Sequence, residues 1–194
     1  MNTEKLVASH VAAVPPSGIR KFFDIASDMK NVISLSVGEP DFVTPWNVRV
    51  AAISSIEQGR THYTSNYGMM ELRELISEYL SSRYHVQYPA EQVLVTIGAS
   101  EALDLAFRAI LEPGDEVLVP APSYVSYEPG VAFCHGVPVP VETKEEDNFI
   151  LTPEQIERAI TKKTKAIVLP YPNNPTGAIM TREQLEAIRT VILK

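Results

Sequence analysis

The chain has 194 residues, of which 45% are apolar and 21% charged, and its formal net charge is −7. This length predicts one domain, or one domain and a piece of another, with enough apolar residues for a sizeable core. The acidic balance argues against nucleic acid or an anionic membrane as a partner, because both bind basic surfaces.

No apolar run approaches the roughly 20 residues that span a bilayer. The N-terminal apolar patch, interrupted by Pro15 and Pro16, does not resemble a signal peptide. The single cysteine, Cys134, excludes an internal disulfide, and we expect a cytoplasmic protein.

Two helices are predicted in the first half of the chain, over residues 46–58 and 69–83. In the second of these, apolar residues recur at i, i+3 and i+4, the spacing of a helix with one half-buried face. That apolar stripe consists of Met69, Leu72, Leu75, Ile76, Tyr79 and Leu80.

From residue 93 onwards, short apolar runs alternate with helical segments. The strands are predicted at 93–97, 116–119, 137–141 and 165–170. Pro138 and Pro140 place the third of these at an edge of the sheet, since proline cannot donate to a ladder. Continuous apolar strands that alternate with helices predict an α/β fold, a parallel-type sheet with helices on both faces.

Capping signals mark the starts of the last two helices. Thr152 and Gln155, like Thr181 and Gln184, have the spacing of a capping box. Helices are therefore expected from 153 to about 160, and from 182 to the end of the sequence.

Two segments carry candidate ligand-binding groups at the starts of loops or helices. Gly98-Ala99-Ser100-Glu101-Ala102 follows a predicted strand and opens a helix, where backbone N–H groups, a hydroxyl and the helix dipole could hold a phosphate. The alternative is that Ser100 is an ordinary N-cap. Asn173-Asn174-Pro175-Thr176-Gly177 follows another strand, so Asn174 could point into the crevice where parallel sheets bind ligands, and Asn174–Pro175 is a candidate cis peptide. A proline-rich turn is the alternative here.

Aromatic and glycine-containing segments add to this pattern. Tyr124 follows a strand and could stack on a flat ligand, although an aromatic residue there is also typical of a core. G-E-P-D-F (from Gly38) and Tyr63-Thr64 resemble turns when each is considered alone. A G-x-G-x-x-G fingerprint, a P-loop and an H-E-x-x-H motif are absent, and the four histidines lack the spacing of metal ligands, so no metal is expected.

The order of these signals resembles a known family. G-E-P-D-F, Y-T-x-x-x-G (Tyr63 to Gly68), G-A-S-E-A, P-S-Y-V-S-Y and N-N-P-T-G together resemble the fold-type-I pyridoxal-phosphate enzymes. The likeness is strongest to class I/II aminotransferases of the aspartate/aromatic branch, and it covers nearly the whole chain. It implies a division into an N-terminal arm with a small-domain segment (1–44) and part of a cofactor-binding large domain (45–194).

The resemblance assigns roles residue by residue. Ala99, Ser100 and Glu101 would grip the phosphate of pyridoxal 5'-phosphate, Tyr124 would stack on its ring, and Asn174 would hydrogen-bond its phenolic oxygen. Tyr63 would reach the phosphate in the neighbouring subunit, which implies a homodimer. Gly38 would offer its backbone to the substrate carboxylate, and Ile19 would close over the substrate. The substrates would be an amino acid and a 2-oxo acid.

The family's remaining catalytic groups follow the N-N-P-T-G segment: an aspartate for the ring nitrogen, the Schiff-base lysine and a carboxylate-binding arginine. None is matched in residues 1–194, so no catalytic residue is assigned and these residues alone are expected to be inactive. A formal S-x-x-K at Ser27–Lys30 is interpreted as a surface segment.

Three functions remain open at this point. The chain could derive from an aminotransferase, from a non-catalytic module that binds a cofactor or partner, or from a carbon–sulfur β-lyase with the same cofactor. Aspartate, aromatic amino acids and an acylated diaminopimelate are all compatible substrates.

Overall fold

The computed structural model describes residues 6–16, 18, 25, 29, 33 and 41–194. The predictions for Ile19, Lys30 and Gly38 lie outside these residues. Contacts divide the chain into two compact units. The first unit is Met1–Ser17 with Ile97–Lys194, and the second unit is Gly18–Thr96.

The first unit is built from helices around a parallel sheet. In its described part, β1 lies in the middle of three strands, paired in parallel with β2 on one side and β3 on the other. The strands are β1 (Glu116–Ala121), β2 (Val137–Glu142) and β3 (Thr164–Ile167). The α-helices of the described residues are, in chain order, α1 (Ser9–Ala12), α2 (Trp46–Glu57), α3 (Met70–Tyr84), α4 (Gly98–Ile110), α5 (Tyr127–Phe133), α6 (Pro153–Ala159) and α7 (Arg182–Ile192). Helices α2 and α3 belong to the second unit, and the others belong to the first.

The core of the first unit lies on both faces of the sheet. Alternate side chains of β1 point to opposite faces, so Val117 and Val119 pack against α4 and α5, and Leu118 packs against α6 and α7. The expected fold class, with helices on both faces, is confirmed. The buried residues are Phe107, Leu111, Val117, Val119, Val131 and Cys134 on one face, and Leu118, Val141, Leu151, Ile156 and Ile188 on the other.

The prolines of β2 explain its place at the edge. Val137 donates its N–H to the carbonyl of Asp115 at 2.8 Å, towards β1. Pro138 and Pro140 occupy the alternate positions, whose N–H groups would point away from β1. The predicted edge strand is confirmed.

Both predicted capping boxes are present. Gln155 donates its backbone N–H to the hydroxyl of Thr152 at 3.3 Å, and its side-chain oxygen accepts from the N–H of Thr152 at 2.9 Å. Thr181 and Gln184 form the same reciprocal pair at 3.3 and 2.8 Å. Each cap contributes about 1 kcal/mol.

Helix α3 of the second unit forms as predicted, but only Ile76 and Leu80 of its apolar stripe are half-buried, and the other four residues are exposed. Leu75 is 62% exposed and Tyr79 is 55% exposed, whereas the buried residue of this helix is Arg73. The 3.6-residue period determines which side chains share a face, but it does not determine whether another element covers that face.

The segment 93–97 does not form the predicted strand. Val93 has extended backbone angles, φ −94° and ψ 123°, and Val95 donates its N–H to the carbonyl of Tyr67 at 3.1 Å. No ladder develops from this bond among the described residues, because a strand needs a partner that pairs in register over several residues.

In the part of the chain that the structure describes, no helix combines the length and apolar character needed to cross a bilayer.

Candidate functional site

The first turn of α4 is the candidate phosphate site, and the side chain of its N-cap residue makes no capping hydrogen bond. Gly98 begins the helix with φ +78°, a conformation that favours glycine, and the residue at the N-cap position is Ile97. No side chain caps this helix, so the N-cap interpretation of Ser100 is wrong. Ser100 lies instead in the first turn with an exposed side chain, as does Ala99. Their backbone N–H groups belong to the set that an α-helix leaves without an internal acceptor, at the positive end of its dipole.

Glu101 uses its side chain at the same place. Its carboxylate accepts a hydrogen bond from the backbone N–H of Ile97. That N–H group is therefore engaged within the protein, and the N–H groups of Ala99 and Ser100 are the ones positioned to meet an anion.

The loop after β1 carries Tyr124. Its ring lies edge-to-face on the ring of Tyr127, with centroids 5.6 Å apart and planes at 77°. Tyr124 remains 38% exposed, which is more than a core residue allows. An edge-to-face neighbour occupies one part of the ring and leaves an aromatic face that could stack on a flat ligand.

The loop after β3 carries Asn174. The Asn174–Pro175 peptide is cis, as predicted, and the Asn174 side chain is exposed. Two backbone hydrogen bonds close this loop: Asn173 donates its N–H to the carbonyl of Ala178 at 2.9 Å, and Gly177 donates to the carbonyl of Asn173 at 2.8 Å. The loop is thus a compact turn that presents Asn174 at its surface.

Asn173 joins these two loops, although the N-N-P-T-G motif suggested a role only for its neighbour Asn174. Its side-chain nitrogen donates to the carbonyl of Pro122 at 3.0 Å and to the hydroxyl of Thr176 at 3.0 Å. Asn173 is only 5% exposed, although its neighbour Asn174 is exposed. Because β1 and β3 are adjacent parallel strands, the loops that follow them meet at the carboxyl ends of the strands, where ligands bind in open α/β folds.

Tyr171 holds the other side of the Asn174 loop. Its phenolic oxygen accepts a hydrogen bond from the N–H of Leu151 at 2.9 Å. Burial raises the pKa of the Tyr171 phenol above its usual value of 10.0, and the bond from Leu151 offsets part of that rise.

The other predicted site residues are located elsewhere. Tyr63 belongs to the second unit, where its ring is fully exposed, and Gly38 and Ile19 lie outside the described residues. Across the described ranges, His, Cys, Asp and Glu form no group of three or more that could hold a metal ion.

Comparisons with known proteins match the chain to aminotransferases. The model of the family "Aminotransferase class I and II" matches residues 30–194. A putative aminotransferase, YugH, of Bacillus subtilis is 51% identical over 94% of the chain, and a probable N-acetyl-LL-diaminopimelate aminotransferase of the same organism is 43% identical over 97%. The structure of the aspartate aminotransferase from Thermus thermophilus with maleate superposes with a TM-score of 0.90, at 40% identity, over 96% of the chain.

The chain spans about half the length of the proteins that it matches. It covers 47% and 48% of the two Bacillus proteins and 50% of the Thermus chain.

Proposed function

Because the chain belongs to the class I and II aminotransferase family, we propose that it is the N-terminal part of a pyridoxal-phosphate-dependent amino-acid aminotransferase. The complete protein would exchange an amino group between an amino acid and a 2-oxo acid. The observation that carries this proposal is the pair of loops after β1 and β3, which present Tyr124 and Asn174 and are joined by Asn173.

The residues present fit the groups of this cofactor. The first turn of α4 offers the N–H groups of Ala99 and Ser100 and the Ser100 hydroxyl to a phosphate. The partly exposed ring of Tyr124 can stack on a pyridine ring, and the exposed amide of Asn174 can donate to a phenolic oxygen. When bound, the cofactor supplies an electron sink for negative charge at the substrate α-carbon.

Four residues have separate roles in this proposal. Ser100 and the helix start fix the phosphate end, and Tyr124 sets the plane of the ring. Asn174 holds the oxygen at the ring's edge, so that three separate contacts orient one rigid ligand. Glu101 contributes through the helix start, where its carboxylate anchors the N–H of Ile97.

Other roles in the proposal come from the family resemblance. Tyr63 would contact the phosphate in the neighbouring subunit of a homodimer, while Gly38 and Ile19 would contact the substrate. The division into a 1–44 segment and a 45–194 large-domain segment, and a cytoplasmic location, stay predictions. The names of the relatives make aspartate and N-acetyl-LL-diaminopimelate the first amino-group donors to test.

Residues 1–194 by themselves would bind the cofactor without transferring amino groups. In the family, the Schiff-base lysine and the ring-nitrogen aspartate belong to segments that follow N-N-P-T-G. Two of the described lysines, Lys144 and Lys194, are paired with Glu146 and Glu157 at 2.8 and 3.2 Å.

A titration with pyridoxal phosphate tests the proposal. We expect the polypeptide to bind it, and Asn174→Ala or Ser100→Ala to weaken binding by about tenfold or more, since a hydrogen bond to a charged group contributes roughly 1.5–3 kcal/mol. Tyr124→Ala should weaken binding by about two- to tenfold, since a stacked aromatic pair contributes about 0.5–1.5 kcal/mol. Asn47→Ala and Tyr88→Ala change exposed side chains to which the proposal assigns no contact, and they are the matched controls. Equal affinity in site and control variants would contradict the proposed site.

Borohydride treatment followed by mass analysis tests whether a lysine of residues 1–194 forms a Schiff base with the cofactor. We expect no lysine of residues 1–194 to retain the cofactor covalently. A stoichiometric adduct would overturn this part of the proposal, and peptide mapping of a digest would identify the lysine responsible.

A further inference from the structure

We propose that Asn173 is a positioning residue that fixes the spacing between Tyr124 and Asn174 by joining the loops that carry them. This inference rests on the proposed function, in which Tyr124 and Asn174 contact one rigid ring. Asn173 itself would not touch the cofactor, because its side chain is 5% exposed and its amide nitrogen is used within the protein.

The orientation of the Asn173 amide follows from its partners. The carbonyl oxygen of Pro122 can only accept a hydrogen bond, so the side-chain atom 3.0 Å from it must be the NH₂ group. The second hydrogen of that group then donates to the Thr176 hydroxyl, also at 3.0 Å. One NH₂ group thus holds the loop after β1 and the loop after β3 together.

The opposite end of the amide is left without a partner. Its oxygen, Oδ1, is buried and has no hydrogen-bond partner among the described residues. An unpaired buried oxygen is unfavourable, and an apolar residue of similar shape would avoid it. The presence of asparagine at this position is therefore explained by its NH₂ group rather than by packing.

The bridge acts on both proposed cofactor contacts at short range along the chain. Pro122 lies two residues before Tyr124, and Asn173 directly precedes Asn174. Thr176 also accepts the N–H of Ala178 at 3.2 Å, so its hydroxyl links the side chain of Asn173 to the closing end of the turn. Loss of the NH₂ group would let the two loops move independently.

Asn173→Asp is the sharpest test, because it keeps the shape and places an acceptor oxygen against the Pro122 carbonyl. Asn148→Asp makes the same chemical change at an exposed loop position and serves as the control. We expect Asn173→Asp to increase backbone amide hydrogen exchange over 123–127 without any cofactor, and to raise the dissociation constant for pyridoxal phosphate by tenfold or more. Lowering the pH should narrow both differences from Asn148→Asp measured at the same pH, since a protonated aspartic acid at position 173 regains an O–H donor.

A milder pair of variants covers the case in which Asn173→Asp does not fold. Thr176→Val removes one acceptor of the NH₂ group, whereas Thr176→Ser retains the hydroxyl. We expect Thr176→Val to raise exchange mainly over 173–178 and to weaken cofactor binding, and Thr176→Ser to behave like the unsubstituted protein.

The two proposals fail in different ways. If the unsubstituted protein does not bind pyridoxal phosphate, the proposed function is wrong, while hydrogen exchange still tests the bridge. If it binds and Asn173→Asp or Thr176→Val binds equally well, the positioning role is overturned. Unchanged exchange over 123–127 in Asn173→Asp would also overturn it.

Discussion

The phenolic oxygen of Tyr171 accepts the backbone N–H of Leu151 at 2.9 Å and thereby links the loop after β3 to the segment before α6. Leu151 is 1% exposed and packs in the core beside Leu118, so this N–H group has little access to water. A side chain of the candidate site loop thus completes the hydrogen bonding of a buried backbone.

This pair predicts a loss of stability at alkaline pH. Burial raises the pKa of Tyr171 in the folded protein above 10.0, so the fold favours the neutral phenol. The stabilisation is complete below pH about 10 and is lost as the pH rises through the raised pKa. We expect the urea midpoint to fall over that interval, and Tyr171→Phe to lower stability by about 1 kcal/mol at neutral pH while flattening the alkaline fall. Tyr88→Phe, at an exposed position, should leave the alkaline profile unchanged.

Gly68, the last residue of the Y-T-x-x-x-G motif, is predicted to tolerate no side chain. It has φ +93°, and a Cβ at this position would lie 2.7 Å from Cβ of Val95. Gly59 has φ +70° but open space around it, so Gly59→Ala carries only the backbone strain of about 1–2 kcal/mol. Gly68→Ala should cost roughly 1–3 kcal/mol more, from overpacking. Limited proteolysis and denaturant unfolding of the two variants measure the difference, and equal stability would contradict the close contact.

Arg73 is predicted to organise the segment that precedes α4 within the second unit. Its Nε donates to the carbonyl of Val93 at 2.8 Å, and its guanidinium lies 5.5 Å from the ring centroid of Tyr67. Arg73→Met should lose about 2 kcal/mol of local stability, because the bond is charge-assisted and the residue is buried. The readout is faster hydrogen exchange at the N–H of Val95, which donates to Tyr67. Arg83→Met, on the exposed surface of the same helix, should not change it.

Cys134 should react slowly with thiol reagents in the folded protein. It is 7% exposed, and burial raises the pKa of its thiol, an effect that Arg108 partly opposes. A higher pKa lowers the fraction of reactive thiolate at any pH below it. We expect at least about tenfold slower reaction with a disulfide reagent in buffer than in guanidinium chloride. A fast reaction in the absence of denaturant would show that this face of the core opens readily.

Several features of the candidate site were available from the sequence because they depend on local chemistry. The N-N-P-T-G string predicted a candidate cis Asn174–Pro175 peptide, and the structure contains that cis bond within a compact turn, whereas ligand binding by this loop stays a prediction. Tyr124 was expected after a strand and lies there with an exposed ring. Asn173 had no comparable signal, because its importance comes from Pro122, a residue 51 positions away in the chain.

The interpretation of Ser100 shows a limit of the same kind. Serine near a helix start is a common N-cap, and its place in the first turn depends on the residue at which the helix begins. Gly98 adopts a positive φ and begins the helix three residues before Glu101, the first residue of a helix that Ser100 would cap. That conformation releases Ser100 from capping and leaves its hydroxyl at the surface.

The sequence by itself predicted helices α2, α3, α4, α6 and α7, the capping boxes of α6 and α7, the edge position of β2 and the family to which the chain belongs, but not the short helix α1. The helices depend on groups three or four residues apart and the edge strand on the missing N–H of proline, whereas the family depends on the order of five sequence motifs. Only the tertiary structure decided that 93–97 lacks a ladder, that most of the apolar stripe of α3 is exposed, and that Asn173 joins two loops. Strand pairing, burial and long-range hydrogen bonds each require a second segment, and the position of that segment is a property of the folded chain.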